Sequence, residues 1–289
     1  MISRLKWIFI LALLTVNIYA NDVSVKVSSQ HIALGEPIKV TVITTKPIKA
    51  YKLELLNKKF KLFLEEKKKK RYKYTAMIGI KRTQKPGNYK LKIEIRLKNK
   101  FKFYESYKIN LDYNTKRKIG NVNLSKRKTK LSNNKRAYTN ENKLISNKFK
   151  HLSKKKYFDT KYQLPAKGRL SSEFGKLRYY NNGKTSSHAG LDISNKEGTL
   201  VAAPQKGVVV FSEKLAVHGN TIMIDHGHGV ISIYCHLNKR SLNAGKRVKK
   251  GRKIGEMGMT GVSSGVHLHW GMSVQNIRVD PLFFLKNKY

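Results

Sequence analysis

The chain has 289 residues, enough for two modest domains that each bury an apolar core. Lysine and arginine number 61 against 17 aspartates and glutamates, a formal net charge of +44, so these cations either decorate water-solvated faces or are built to meet an anion. Cys235 is the only cysteine, which excludes an intramolecular disulfide and leaves stability to other means.

Residues 1–20 read as a secretory signal peptide. Arg4 and Lys6 precede an uninterrupted apolar run from Trp7 to Val16, and a polar turn ends at Ala20, after which cleavage is expected. The run falls well short of the roughly twenty residues that a spanning helix needs. Export to the periplasm or cell envelope follows. Nucleic acid is the commonest partner of so basic a chain, but it is not expected there; the anions at hand are lipid headgroups, cell-wall polymers and peptidoglycan carboxylates.

Residues 21–113 alternate apolar and polar side chains in short runs: Val23 to Val27, Ile38 to Ile43, Tyr51 to Leu55, Tyr74 to Ile80, Tyr89 to Ile95 and Tyr107 to Leu111. Turns at Gly35-Glu36-Pro37, Lys46-Pro47 and Lys85-Pro86-Gly87-Asn88 separate them, and the spacing predicts a small antiparallel β-sandwich. Glu65 to Arg71 reads as a charged hairpin tip or edge. His31 stands alone there and is read as an ordinary surface residue.

Residues 114–160 turn to Lys, Asn, Ser and Thr, with few large apolar side chains, and read as a basic flexible linker whose end, from Glu141 to Tyr157, could form a short helix. Through this linker the chain would touch anionic envelope polymers or a membrane surface.

Residues 161–289 are glycine-punctuated short strands, among them Gly207 to Ser212, Thr221 to Asp225, Val230 to His236, Arg252 to Met257 and Val266 to Val274. The chain as a whole is therefore expected to be mainly β, with an antiparallel sheet domain at its C-terminal end.

Three separated segments of this last region hold polar groups that are costly to bury without a purpose: His188-Ala189-Gly190-Leu191-Asp192, Tyr234-Cys235-His236-Leu237 and His267-Leu268-His269. Period-two alternation puts His267 and His269 on one face of a strand, with Val266 and Leu268 on the other. It likewise groups Ser232, Tyr234 and His236 on one face against Ile231, Ile233, Cys235 and Leu237, so Cys235 reads as a small buried hydrophobe. Ala189 and Gly190 are small enough to let His188 and Asp192 bend towards one ion. Two histidines and one carboxylate leave a tetrahedral zinc ion a fourth position for water, and the same trio also suits non-haem iron. Two further histidines tip the choice to zinc, because hydrolysis needs a base and an oxyanion donor.

With these residues in view, Leu164 to Phe284 resembles the lysostaphin and LytM type of zinc peptidoglycan endopeptidases. The likeness runs through Ser172-Glu173-Phe174-Gly175, Ser187 to Asp192, Val201-Ala202-Ala203-Pro204, Gly207-Val208-Val209, Gly219-Asn220, His226-Gly227, Tyr234 to Leu237, Gly251 to Gly255, Thr260-Gly261, Gly265 to His269 and Asp280-Pro281. The resemblance implies that His188, Asp192 and His269 bind Zn2+ and that His236 and His267 flank the water and the scissile carbonyl, with peptide crosslinks of peptidoglycan as substrate. Cys235, Val266 and Trp270 depart from the family's usual alanine, proline and phenylalanine and bear on substrate fit. The competing reading is a non-catalytic cell-wall binding or hydrolase-activating protein on the same fold. His218, His226 and His228 lie in or beside glycine-rich turns and are read as outside the chemistry, with His226 supporting the ligands from behind.

Overall fold

The computed structural model of the protein describes residues 22–113, 119–159 and 161–287; the expected signal peptide lies outside them. Among the described residues no helix is long and apolar enough to cross a membrane. The chain is mostly β, as expected, in several largely antiparallel sheets.

Up to Asp112 it forms two of them. Strands Val23–Val27, Ile38–Thr44, Arg71–Ile78 and Phe63–Lys68 make a four-stranded sheet; His31–Ala33, Lys102–Asp112, Gly87–Leu97, Ile48–Leu55 and Lys58–Lys59 make one of five. Alternation explains both: Ile38, Val40 and Val42 are buried while Lys39, Thr41 and Ile43 between them are only part-covered, and Leu91, Ile93, Ile95 and Leu97 repeat the pattern in the second sheet. The expected charged hairpin tip is the turn between Lys68 and Arg71.

The C-terminal part is organised by an eight-stranded sheet. In spatial order it runs Arg169–Ser172, Leu191–Ser194, Leu268–Val274, Val230–Leu237, Gly219–Gly227, Gly207–Leu215 and Arg247–Val248, with Ile277–Val279 also paired to Leu268–Val274. That last hairpin turns on Gln275 and Asn276, both at positive φ (45° and 64°), as a two-residue turn between twisted strands requires. One face of this sheet carries Leu191, Ile193, Ile222, Ile224, Tyr234, Leu268, Trp270 and Met272, all in the same buried cluster as the core residues of the N-terminal sheets. Gln275 extends the union: its side chain accepts from the Lys61 amide at 2.7 Å and donates to the carbonyls of Lys61 and Met77.

The opposite face carries Phe211, Met223, Ile231, Ile233 and Cys235, and what covers it corrects the expected flexible linker. Residues 126–149 form two helices, Lys126–Asn133 and Lys135–Phe149, capped by the Ser125 hydroxyl and the Asn134 side chain. The second begins six residues before the Glu141 start expected from sequence and ends at Phe149 rather than near Tyr157. Ile145 and Phe149, too sparse for a helix in isolation, are enough because both land on the sheet's apolar face. Phe149 also lies against the guanidinium of Arg278, 4.2 Å from its ring centre. Before the helices, Ile119–Val122 pairs parallel with Leu177–Tyr180, which in turn pairs with Thr185–Ser187.

Candidate metal centre

The site stands at one end of the face that the helices cover. Asp192 and His269 are direct partners across two antiparallel strands, so their side chains leave the sheet together. His188 reaches them from the end of the preceding segment. Asp192 Oδ1 lies 2.9 Å from His188 Nε2 and 2.9 Å from His269 Nδ1, and the two imidazole nitrogens are 3.0 Å apart. One ligand atom from each of the three residues falls within 4.8 Å of the others, a spacing that a single metal ion can span. Gly190 makes the approach feasible: a β-carbon there would sit 2.5 Å from the Trp270 carbonyl oxygen and 2.8 Å from the His269 ring.

The second atoms of these groups are already committed. His188 Nδ1 donates to the Glu173 carbonyl at 2.8 Å, which turns the lone pair of Nε2 towards the cluster. Asp192 Oδ2 accepts from Arg178, which also donates to Ser172 Oγ at 3.0 Å. Burial alone would raise the Asp192 carboxyl, but hydrogen bonds and charge from His188 and His269 hold it well below the usual carboxylate range. Burial pushes His188 down and His269 down to about 3, with Asp192 opposing both shifts, so both imidazoles stay neutral and available as ligands. This donor set fits a metal.

His236 and His267 stand beside the trio, their ring centres 5.0 Å apart, with His236 6.2 Å from His269. His236 Nδ1 donates to the Thr260 carbonyl at 2.8 Å, and His267 Nδ1 to the Gly265 carbonyl at 2.9 Å. Each ring therefore presents Nε2 as its free nitrogen, and that of His267 lies 3.8 Å from Asp192 Oδ1. Burial, then the neighbouring His267 and His269, lowers His236 well below the ordinary histidine range. All five side chains named from sequence are brought together.

The route by which His236 arrives differs from simple alternation. Cys235, not Tyr234, is the direct partner of His269, so the metal-site face is the one that holds Cys235, while Tyr234 pairs with Trp270 on the other side. Continued alternation would aim His236 away from the site. A register irregularity between Asn220 and Ile222, with His236 itself at φ 62°, turns it back. Cys235 is buried as expected, and burial pushes its thiol up to about 12, which leaves it inert.

An open groove of about 240 Å3 runs past the cluster, bounded by Asp192, His236, His267, Arg178, Lys176 and Ser263. Gly120 to Val122 add a further stretch of wall. Neither Arg178 nor that stretch was singled out in the sequence, because they belong to a separate three-stranded sheet that meets Asp192 only in the folded chain. His226 does not support the ligands. It bonds the Lys206 carbonyl and Ser232 Oγ, each at 2.7 Å, and meets Tyr162 edge-on, on the opposite side of the sheet. His228 stacks on Phe63 of the N-terminal four-stranded sheet, their ring centres 4.7 Å apart, and its Nε2 lies 3.0 Å from the Lys154 carbonyl.

A β-sheet domain that presents a His-Asp-His trio, two further histidines and an open groove has the form of a metallohydrolase centre. Residues 186–281 match Peptidase family M23, and the chain carries a LytM-type domain of that family. Among curated relatives, an uncharacterized metalloprotease of Haemophilus influenzae is 38% identical over 127 residues, 42% of this chain and 26% of that protein. The peptidoglycan DD-endopeptidase ShyC of Vibrio cholerae is 37% identical over 114 residues, 39% of this chain and 26% of the relative. The chain thus aligns with about a quarter of the length of these relatives. A crystal structure of a Pseudomonas aeruginosa protein described as peptidase M23 superposes with a TM-score of 0.60 at 24% identity, covering 85% of this chain and 92% of the other, which shows a shared fold.

Proposed function

We propose that this protein is a zinc-dependent endopeptidase that hydrolyses peptide crosslinks of bacterial peptidoglycan during cell-wall remodelling, in the periplasm or cell envelope. The observation that carries the reading is the convergence of five side chains beside an open groove: three with ligand atoms within 4.8 Å of one another, two with Nε2 left free. His188, Asp192 and His269 would hold the ion. Zinc held there supplies Lewis acidity that activates water and polarises a carbonyl at neutral pH.

His236 and His267 would share the remaining work. Each is fixed by a carbonyl at Nδ1, so each offers one nitrogen of known direction to receive a proton or to donate to a developing oxyanion. Lys176 and Arg178 make the groove wall cationic, which suits a peptide substrate rich in carboxylates. Lys126, Arg127, Lys130, Lys135, Arg136 and Lys143 are exposed on the helices and would meet anionic polymers or a membrane surface of the envelope.

The test is digestion of purified peptidoglycan by the zinc-loaded protein with and without a chelator, read by mass spectrometry of the released muropeptides. Crosslinked dimers should resolve to monomers, stop doing so on chelation and resume when zinc is returned. No chelator-sensitive product would instead favour a non-catalytic wall-binding or hydrolase-activating protein.

A further inference from the structure

Glu141 is the only carboxylate between Asp112 and Asp159, a stretch crowded with lysine and arginine, yet the partners its side chain takes among the described residues are Val217 and His218. It lies on the helix Lys135–Phe149, is 7% exposed, and reaches across to the loop that precedes the strand Gly219–Gly227. Its oxygens accept from the Val217 amide at 2.9 and 3.1 Å, from the His218 amide at 3.1 Å and from His218 Nδ1 at 2.8 Å. A buried carboxylate with four such contacts is a fixed point, because moving it would strand a charge.

The loop it holds is the one against which His236 is set. The His218 carbonyl accepts from the His236 amide at 3.0 Å, and the Val217 carbonyl accepts from the Val262 amide at 2.7 Å. Thr260, whose carbonyl takes the His236 Nδ1 proton, receives the Asn220 amide on its hydroxyl at 3.0 Å. Gly219 and Gly261 interlock: a β-carbon on the first would lie 2.3 Å from Thr260 Oγ1, and one on the second 2.4 Å from the Val217 carbonyl oxygen. His236 needs such support, since its φ of 62° is one that a side-chain-bearing residue adopts only when its surroundings impose it.

We propose that Glu141 is a positioning residue for His236: from a helix outside the peptidase-family match, it clamps Val217 and His218, and through their carbonyls it sets the backbone and ring of the histidine that faces the groove. This rests on the proposed hydrolase reading for its consequence in turnover, but not for its consequence in structure.

Three variants of the full chain test it: Glu141→Ala, Glu141→Gln and, as a control, Ile145→Ala, which loosens the same helix without touching the clamp. Hydrogen exchange at the Val217, His218 and His236 amides should rise about tenfold or more in Glu141→Ala. In the same variant kcat on muropeptides should fall about tenfold or more, with KM and zinc content held. Glu141→Gln, which keeps an oxygen for the Val217 and His218 amides, should recover most of both. Unchanged exchange at His236 in Glu141→Ala overturns the proposal, as does Ile145→Ala reproducing both effects at an equal loss of Tm. Should exchange respond as expected while wild type and variant alike fail to cut peptidoglycan, the positioning role stands and the hydrolase reading falls.

Discussion

The two faces of the eight-stranded sheet are built from the same strands and put to opposite uses. On one, Leu191, Tyr234, Leu268, Trp270 and Met272 pack into a buried cluster shared with the N-terminal sheets, and even the polar Ser232 and His226 are satisfied internally. On the other, one residue along each strand, Asp192, His269 and Cys235 sit in a row, and only the part beyond them is roofed by the helix Lys135–Phe149. A sheet sealed on one side is a rigid mount for chemistry on the other, because the close-packed layer is barely compressible and holds the strands that carry the site in place. The difference shows that the candidate metal centre takes up only the uncovered end of a single face.

The largest effects should come from the open end. Replacing His188, Asp192 or His269 by alanine is expected to abolish both zinc binding and muropeptide release, read by elemental analysis and mass spectrometry, with the sealed face still folded by near-UV circular dichroism. His236→Ala or His267→Ala should keep stoichiometric zinc and lower kcat by about 10²–10⁴-fold; full activity with zinc retained would remove both from the reaction. A sharper division of the faces comes from Phe149→Ala, which removes a buried ring from the helix roof. It should cost about 3–5 kcal/mol in denaturant unfolding while the zinc affinity holds; a parallel collapse of affinity would mean that roof and centre are one unit.

Smaller effects test the supports. Arg178→Ala frees Asp192 Oδ2 from its guanidinium partner and should weaken zinc about 10–100-fold, measured by competition with a chelator of known affinity. On the sealed side, Glu65 meets Lys156 at 2.8 Å and joins an N-terminal strand to the segment after the helices. Burial alone would raise the Glu65 carboxyl; the hydrogen bond and charge of Lys156, with Lys73, outweigh it and bring it from 4.5 to about 2. A depressed folded value stabilises above the unfolded one, so this contribution is present above pH 4.5 and fades as pH falls towards 2. Glu65→Gln should therefore lower stability on the order of 2 kcal/mol near neutrality and approach wild type at pH 2, by thermal unfolding across that range.

Much of this was legible in residue order. The strands Val23 to Val27, Gly207 to Ser212 and Val230 to His236 announced themselves by alternation, and they recur as Val23–Val27, Gly207–Leu215 and Val230–Leu237. Histidines and a carboxylate in apolar strands likewise marked the site, since such groups are buried only where partners repay their desolvation. Alternation failed at His236 because a bulge and a positive φ are departures from the period that it assumes. Composition failed at residues 126–149 for a related reason: two apolar side chains cannot hold a helix in water, yet Ile145 and Phe149 suffice once a sheet offers them a surface.

Residue types and spacings by themselves marked the chain as mainly β and singled out the histidines and carboxylate that the fold then brings together. Only the tertiary structure decided which sheet face bears them, that Arg178 and Glu141 stand behind them, and that a lysine-rich stretch becomes a roof instead of a tether. The first set depends on local periodicity and on the cost of burying polar groups, both written in the sequence. The second depends on register between strands far apart in the chain, and that is settled only when the whole sheet closes.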